Sequence, residues 1–373
     1  MKKAFKIIIC TLLISLVFSS CEKTSKRIND LTIVQALGID TKESKTNISL
    51  QYLNLSENSG STEQLQGNVT SVANGMGENI SSAIFNTSKT VSKDVFFGQN
   101  KIVILGCEWA QSNVDSGIDY LLKSKDSRPD VLLAIGYPDA KEIVKSKENS
   151  AQIPAENIFS LIKLGESNGH APSVTVADIL NLYNDETSDI FFPVLKAEKD
   201  NVKCIGTAVF SLDKYAVFLN EEETMGFLAV KNKFESGILT FEAKELGKVS
   251  AEITSLSAKK SVQIKNGKPI LNIKIKTDIL INESEKTIKK PLSESDCKAV
   301  QKACEAKLKK LCESTVKKCF ENKSDPFMSA RYLCIKDSAL YNSMKDNWRD
   351  NLRNIEVKAE VKSSLQRISN NTA

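Results

Sequence analysis

From Leu271 to Ile281 the chain alternates. Leu271, Ile273, Ile275, Thr277, Ile279 and Ile281 fall on one side; Asn272, Lys274, Lys276 and Asp278 fall on the other. A period of two is the repeat of a β-strand with one face in a core and one in water. Such a strand needs partners. Val249 to Leu256 and Ser261 to Ile264 read as two shorter ones, with Asn266-Gly267 as a hairpin turn before the long strand. It also needs a cover. Ser293 with Asp296 three residues on is an N-cap pattern, and the helix it opens runs to about Asn322, ahead of Ser324-Asp325-Pro326. The chain closes on Ile355, Val357, Ala359 and Val361, alternating with Glu356, Lys358, Glu360 and Lys362. Residues 245–373 therefore read as a sheet with one long helix, about 293–322, laid across it.

The upstream pattern differs. Leu31 to Asp40 is a largely apolar run, and Asn47 to Leu55 alternates; both read as strands. Helices are expected over Ile80 to about Ser92, Val114 to Leu122, and from Ala140 to Val144, with short apolar strands at Lys101–Gly106 and Val131–Gly136. Glu57 to Gly67 reads as a surface loop. This order describes an α/β layer domain over 21–150. A second α+β unit is expected over 151–244. It has helices at Ala155–Lys163 and Thr175–Tyr183, the latter capped by Ser173 or Thr175. Its strands are Phe191–Lys196, Cys204–Leu212 and Tyr215–Phe218, with Asp213-Lys214 joining the last two, and its last helix is Glu221–Val230. The fold class expected is α+β: three consecutive domains, each a small mixed sheet packed with helices.

The N-terminus limits where this protein can act. Lys2, Lys3 and Lys6 precede an apolar run from Ile7 to Phe18, followed by Ser19-Ser20-Cys21. A dozen or so apolar residues fall short of the roughly 20 that span a hydrocarbon core. The segment is an export signal, residues 1–20, with a small-residue cleavage site. A Cys directly after two small residues resembles a bacterial lipoprotein signal, which implies lipid on the Cys21 thiol. Phe18 departs from the Leu usual three residues before that Cys. An ordinary secretory signal with a chance cysteine is the alternative.

Charge excludes one class of partner. The formal net charge is +5, and Lys2, Lys3 and Lys6 leave with the signal. The remaining chain is nearly neutral, with no electrostatic footprint for nucleic acid.

The nine cysteines invite a metal reading. Cys297, Cys304, Cys312 and Cys319 recur on one face of the long helix. Neighbours then lie roughly 10 Å apart along the axis at 1.5 Å per residue. Sulfurs on one zinc lie within about 4 Å of each other, and disulfide Cα atoms within about 7 Å. No two of these can share an ion or a bridge, so they read as small buried hydrophobes, Val300, Leu308, Leu311 and Val316 continuing the stripe. Partner-chain pairing is the alternative. His170, the single histidine, sits in a loop. Glu221-Glu222-Glu223 suits a helix first turn better than an acid/base pair. Trp109 and Trp348 suit a core or an interface. No phosphate loop, nucleophile elbow or His-Glu-x-x-His stretch is present. The sequence contains no catalytic, metal or cofactor site by these criteria, and no enzyme activity is expected.

An ordered set of short segments carries a family resemblance. Ile28-Asn29-Asp30-Leu31 leads to Ala36-Leu37-Gly38-Ile39-Asp40. Ser82-Ala83-Ile84 is followed by Val95 through Gly106, with Phe97-Gly98 inside it, then Ile118-Asp119-Tyr120-Leu121 and Ser127-Arg128-Pro129. Gly206-Thr207-Ala208-Val209-Phe210 precedes Leu219 and Glu223-Thr224-Met225-Gly226, and Trp348 stands before the last strand. The set resembles the C-subunit lipoproteins of spore germinant receptors, the Ger(x)C family, over nearly the whole chain. Two departures stand out. The family's Asp-(Ile/Val)-(Phe/Leu)-Gly-like segment after the long helix is here Ser324-Asp325-Pro326-Phe327-Met328, and the Trp after the tether is missing.

The resemblance implies three α/β domains without catalysis. It implies a complex with two integral-membrane subunits, A-type and B-type, in the inner spore membrane. The chain would sit on the extracytoplasmic face, lipid-anchored through Cys21, and be needed for nutrient-triggered germination. It does not imply a small-molecule ligand for this chain. Two other readings stay open: a solute-binding lipoprotein of a membrane transporter, and an extracytoplasmic enzyme.

Overall fold

A computed structural model describes residues 27–54, 69–124, 127–146, 153–199, 201–244, 246–286 and 292–366. The chain is mixed α+β. It opens with strands β1 (Leu31–Lys42), β2 (Lys45–Leu53) and β3 (Thr70–Gly77), helix α1 (Ile80–Ser88), and strands β4 (Asp94–Phe96) and β5 (Ile102–Gly106). Helix α2 (Cys107–Lys123), strand β6 (Leu132–Tyr137), and helices α3 (Ala140–Val144), α4 (Pro154–Ser167) and α5 (Val176–Tyr183) follow. Next come β7 (Phe191–Glu198), β8 (Asn201–Ser211), β9 (Lys214–Leu219) and helix α6 (Glu221–Lys231). The last part holds β10 (Gly237–Ala243), β11 (Gly247–Lys265), β12 (Lys268–Ser284), α7 (Glu294–Glu321), α8 (Ser329–Lys336), α9 (Ser338–Met344), α10 (Trp348–Asn351) and β13 (Glu356–Leu365).

Two sheets organise these elements. The first runs β3-β2-β1-β5-β6-β7-β8-β9, with β4 beside β1. Its centre, β1, β5, β6 and β7, is parallel, and its flanks are antiparallel hairpins. Both faces of that centre are covered. Ala36, Ile104 and Ala134 pack with Ile143, Ile158 and Ile162 on one side, while Leu37, Leu105 and Ile135 pack with Trp109, Val114 and Ile118 on the other. A sheet buried on both faces needs unbroken apolar strands, which is why β1, β5 and β6 lack alternation.

The strands expected in a separate sheet for 151–244 extend the first sheet instead. Parallel pairing of β6 with β7, Ile135 opposite Val194, joins them. The second sheet, β10-β11-β12-β13, starts at Gly237, ahead of the limit expected near 244. Val249–Leu256 and Ser261–Ile264 are one strand, because β12 pairs with them along its whole length. β3, β4 and β10 were not legible as strands. Helix α1 stops at Ser88 rather than near Ser92, and α2 starts seven residues earlier than expected, directly after β5. The β8–β9 turn is Leu212-Asp213, one residue before the expected one. Asn266 and Gly267 both have positive φ, as a two-residue hairpin turn requires.

Helix α7 is the cover that β12 needed. Ser293 caps it, accepting from the Asp296 N–H while Asp296 accepts from the Ser293 N–H. It provides the crossover that lets β13 run parallel to β12. It also guards the open edge of β13: Glu313 accepts the Ala359 N–H at 2.8 Å, and Glu305 accepts the Ser363 N–H at 2.9 Å.

Candidate functional site

The segment that departs from the family pattern, Ser324 to Met328, builds a buried polar cluster in which Ser324, Asp325 and Ser329 are almost fully buried. Helix α7 ends and the backbone turns back through Lys323 and Met328, both with positive φ, into α8. Asp325 is thereby placed under the start of α8. One carboxylate oxygen accepts from the Ser329 N–H at 3.1 Å and the Ser329 hydroxyl at 2.6 Å. The other accepts from the Ala330 N–H at 3.0 Å and Trp348 Nε1 at 3.2 Å. The Asp325 N–H donates to Asp189, in the loop before β7, at 2.6 Å. The other oxygen of Asp189 accepts from the Leu212 N–H at 2.8 Å and the Arg349 guanidinium at 2.7 Å. Asp189 and Asp325 are each 1% exposed. This is where the first sheet is tied to the C-terminal unit.

Two amines approach the same turn. Lys231, at the end of α6, donates to the Pro326 carbonyl at 2.9 Å and lies 4.6 Å over the Phe191 ring. Burial lowers it to about 7, with Lys260 adding to the effect. Burial lowers Lys260, on β11, to about 8, against the attraction of Asp325. Burial pushes the Asp325 carboxyl above its ordinary range, opposed by its bonds to Ser329 and Ala330. Each carboxylate is filled with donors, so the arrangement ties elements together and offers no free general base. Beside it opens a cleft of about 550 Å³, walled by Tyr183, Tyr341 and Trp348 and rimmed by Asp185, Lys345 and Asp346.

A second cluster explains Glu223-Thr224-Met225-Gly226. The Glu223 side chain takes the Lys318 amine at 2.7 Å, and Thr224 shares a hydrogen bond with Thr207 of β8 at 2.9 Å. At Gly226 an added Cβ would lie 2.8 Å from Thr315 Oγ1 and 2.9 Å from Leu311 Cγ. Helices α6 and α7 cross there with no room for a side chain.

Other residues singled out from sequence lie apart. Cys21, the expected lipidation site, lies outside the described residues. Cys304, Cys312 and Cys319 are fully buried in the α7 stripe, and Cys297 is half-buried at its start. Burial pushes the thiols of Cys304 and Cys312 up to about 12 and that of Cys319 higher still. Such thiols pack as apolar groups. Among the described residues no cluster could hold a metal ion. His170 is exposed in its loop. Trp109 is buried against Gly117, and Trp348 is a hydrogen-bond donor to Asp325. Glu221 to Glu223 form the first turn of α6. Sequence reading missed Asp189, Arg349 and Lys231, and noted Asp325 only as a departure. An Asp before Pro at a helix end carries no local sign of a partner 136 positions away.

A mixed sheet, parallel at its centre and antiparallel at its flanks, is thus tied to a second sheet under one long helix. The spore germination protein N-terminal domain model matches residues 24–197, and the spore germination B3/GerAC-like C-terminal model matches 205–369. The chain belongs to this spore germination family, the Ger(x)C proteins. It is 26% identical to spore germination protein KC of Bacillus subtilis, over 90% of this chain and 89% of that one. It is 23% identical to spore germination protein B3 of the same organism, over 90% of this chain and 91% of that one. The crystal structure of the GerBC protein shares the fold, with a TM-score of 0.59 and 20% identity, covering 89% of this chain and 97% of that one.

Proposed function

We propose that this chain is the lipid-anchored, non-catalytic subunit of a nutrient germinant receptor. In this reading it sits on the extracytoplasmic face of the inner spore membrane beside two integral-membrane subunits, A-type and B-type. The observation that carries the reading is the match of both spore germination domains in order, across residues 24–369. Lys2, Lys3 and Lys6, the apolar run and Cys21 support the anchor. Among the described residues no helix is long and apolar enough to cross a membrane. A lipid on Cys21 would confine the chain to two dimensions beside its partners, each buried methylene contributing about 0.8 kcal/mol. The donor-filled carboxylates of Asp189 and Asp325 support a tying role rather than a catalytic one.

Two measurements test this. Cys21→Ala is expected to leave a folded protein that is lost from the membrane fraction, in spores that respond poorly to nutrient; normal membrane retention and germination would remove the anchor from the reading. Spores lacking the chain are expected to lose dipicolinate release in response to nutrients but to keep it with a non-nutrient trigger. A full response to both, in a strain without a second copy of the receptor, overturns the receptor role.

A further inference from the structure

A second cavity, of about 350 Å³, lies between the N-terminal end of α2 and strands β6 to β9. Two irregularities in the sheet build it. Residues three apart on a regular strand face opposite sides. Yet Ile205 and Ala208 of β8 both line this cavity, as do Tyr215 and Phe218 of β9. The register explains both pairs. Leu195 pairs with Cys204 and Val194 with Gly206, which leaves Ile205 as an extra residue. Val209 pairs with Val217 and Phe210 with Tyr215, which leaves Ala216 extra. Each bulge re-aims one side chain. The first depends on Gly206, at φ +149°, where a Cβ would stand 2.1 Å from the Leu219 carbonyl oxygen.

Position and lining point the same way. Tyr137 ends β6 and Cys107 directly follows β5, so the cavity sits at the carboxyl ends of the parallel strands, where open α/β sheets bind ligands. No Asp, Glu, Lys or Arg lines it. Tyr137 and Tyr215 are 49% and 41% exposed, and Gln111 is exposed on the first turns of α2, where its amide donates to Cys107 Sγ at 3.6 Å. An apolar cavity of about 150 Å³ suffices for benzene.

We infer that this cavity binds a small uncharged molecule with an aromatic body of one or two rings and a single hydrogen-bonding group. The rings of Phe210, Tyr215 and Phe218 meet the body, and Gln111 or a tyrosine hydroxyl meets the polar group. The inference does not depend on the receptor reading.

Indole is the probe, with benzoate and benzylammonium as charged counterparts, titrated into the full chain by calorimetry and saturation-transfer NMR. Indole is expected to bind, and the charged probes roughly tenfold or more weaker, because burial strips their hydration. Gln111→Trp, an exposed change at the rim, is expected to weaken indole by about tenfold, near 1.4 kcal/mol, with an unchanged melting temperature. Indole is also expected to slow alkylation of Cys107 by N-ethylmaleimide, read on its own peptide by mass spectrometry. Absence of indole binding, equal binding of the charged probes, or undiminished binding by Gln111→Trp overturns the inference.

Discussion

The backbone N–H of Asp325 donates to the Asp189 carboxylate at 2.6 Å, and the Asp189 N–H returns a bond to the Asp325 carbonyl at 3.3 Å. The pair clamps the loop before β7 to the turn after α7. Asp325→Ala removes the acceptor for Ser329, Ala330 and Trp348 inside the protein. Breaking a buried charged network of this kind costs roughly 3–5 kcal/mol. Urea denaturation of the variant should show that loss, and a change below about 1 kcal/mol would mean that the turn is held by packing alone.

Asp40 sets an acid-side dependence. Burial raises its carboxyl from 3.8 to about 6, although the Ala140 and Lys141 N–H groups oppose the shift. The folded chain therefore takes up a proton that the unfolded chain lacks between about pH 4 and 6. Stability from this group falls as pH rises through that window, by on the order of 3 kcal/mol, and is flat above it. The difference in unfolding free energy between wild type and Asp40→Asn should trace that slope. A difference constant from pH 4 to 7 would rule it out.

Lys231 and Lys260 act on the alkaline side. Both are lowered, to about 7 and about 8, chiefly by burial. Folding then releases protons between about pH 7 and 10, and stability rises with pH through that range. Lys231→Met should reduce the rise in urea midpoint between pH 7 and 9. An identical rise in both proteins would place the Lys231 amine in water.

Gly226 is a contact point rather than a hinge. Ala there gains about 1 kcal/mol of helix propensity. Its methyl group would press on Thr315, Leu311 and a backbone carbonyl within 3.1 Å. Overpacking of this kind costs about 1–3 kcal/mol, so Gly226→Ala should be destabilised and Gly226→Val more so. A stabilised Gly226→Ala would show that α6 and α7 can separate freely.

Glu305 and Glu313 shield the edge of the second sheet. Replacing both with Ala frees the Ser363 and Ala359 N–H groups. An open strand edge recruits another. Light scattering should report a larger apparent mass than wild type at equal concentration, with a stability loss of about 1 kcal/mol per bond. An unchanged mass would falsify the shielding role.

Much of the local structure was legible because neighbours in sequence decide it. The period of two in β12, the Asn266-Gly267 turn, the Ser293 and Thr175 caps and the cysteine stripe of α7 are all dictated within a few residues. Strand β3 was not, since Gly75 and Gly77 lower its strand character. Both are glycine because α1 packs directly on them, the latter leaving 2.4 Å between a Cβ and the Ala83 nitrogen.

The sequence by itself determined most of the helices and strands, several of their caps and the family. Tertiary structure alone decided that β7 to β9 complete the first sheet, because parallel pairing between β6 and β7 leaves no local mark. It alone decided that Asp189, Asp325, Trp348 and Arg349 meet. A buried carboxylate must find its donors wherever the chain returns to it, and that return is a property of the whole fold.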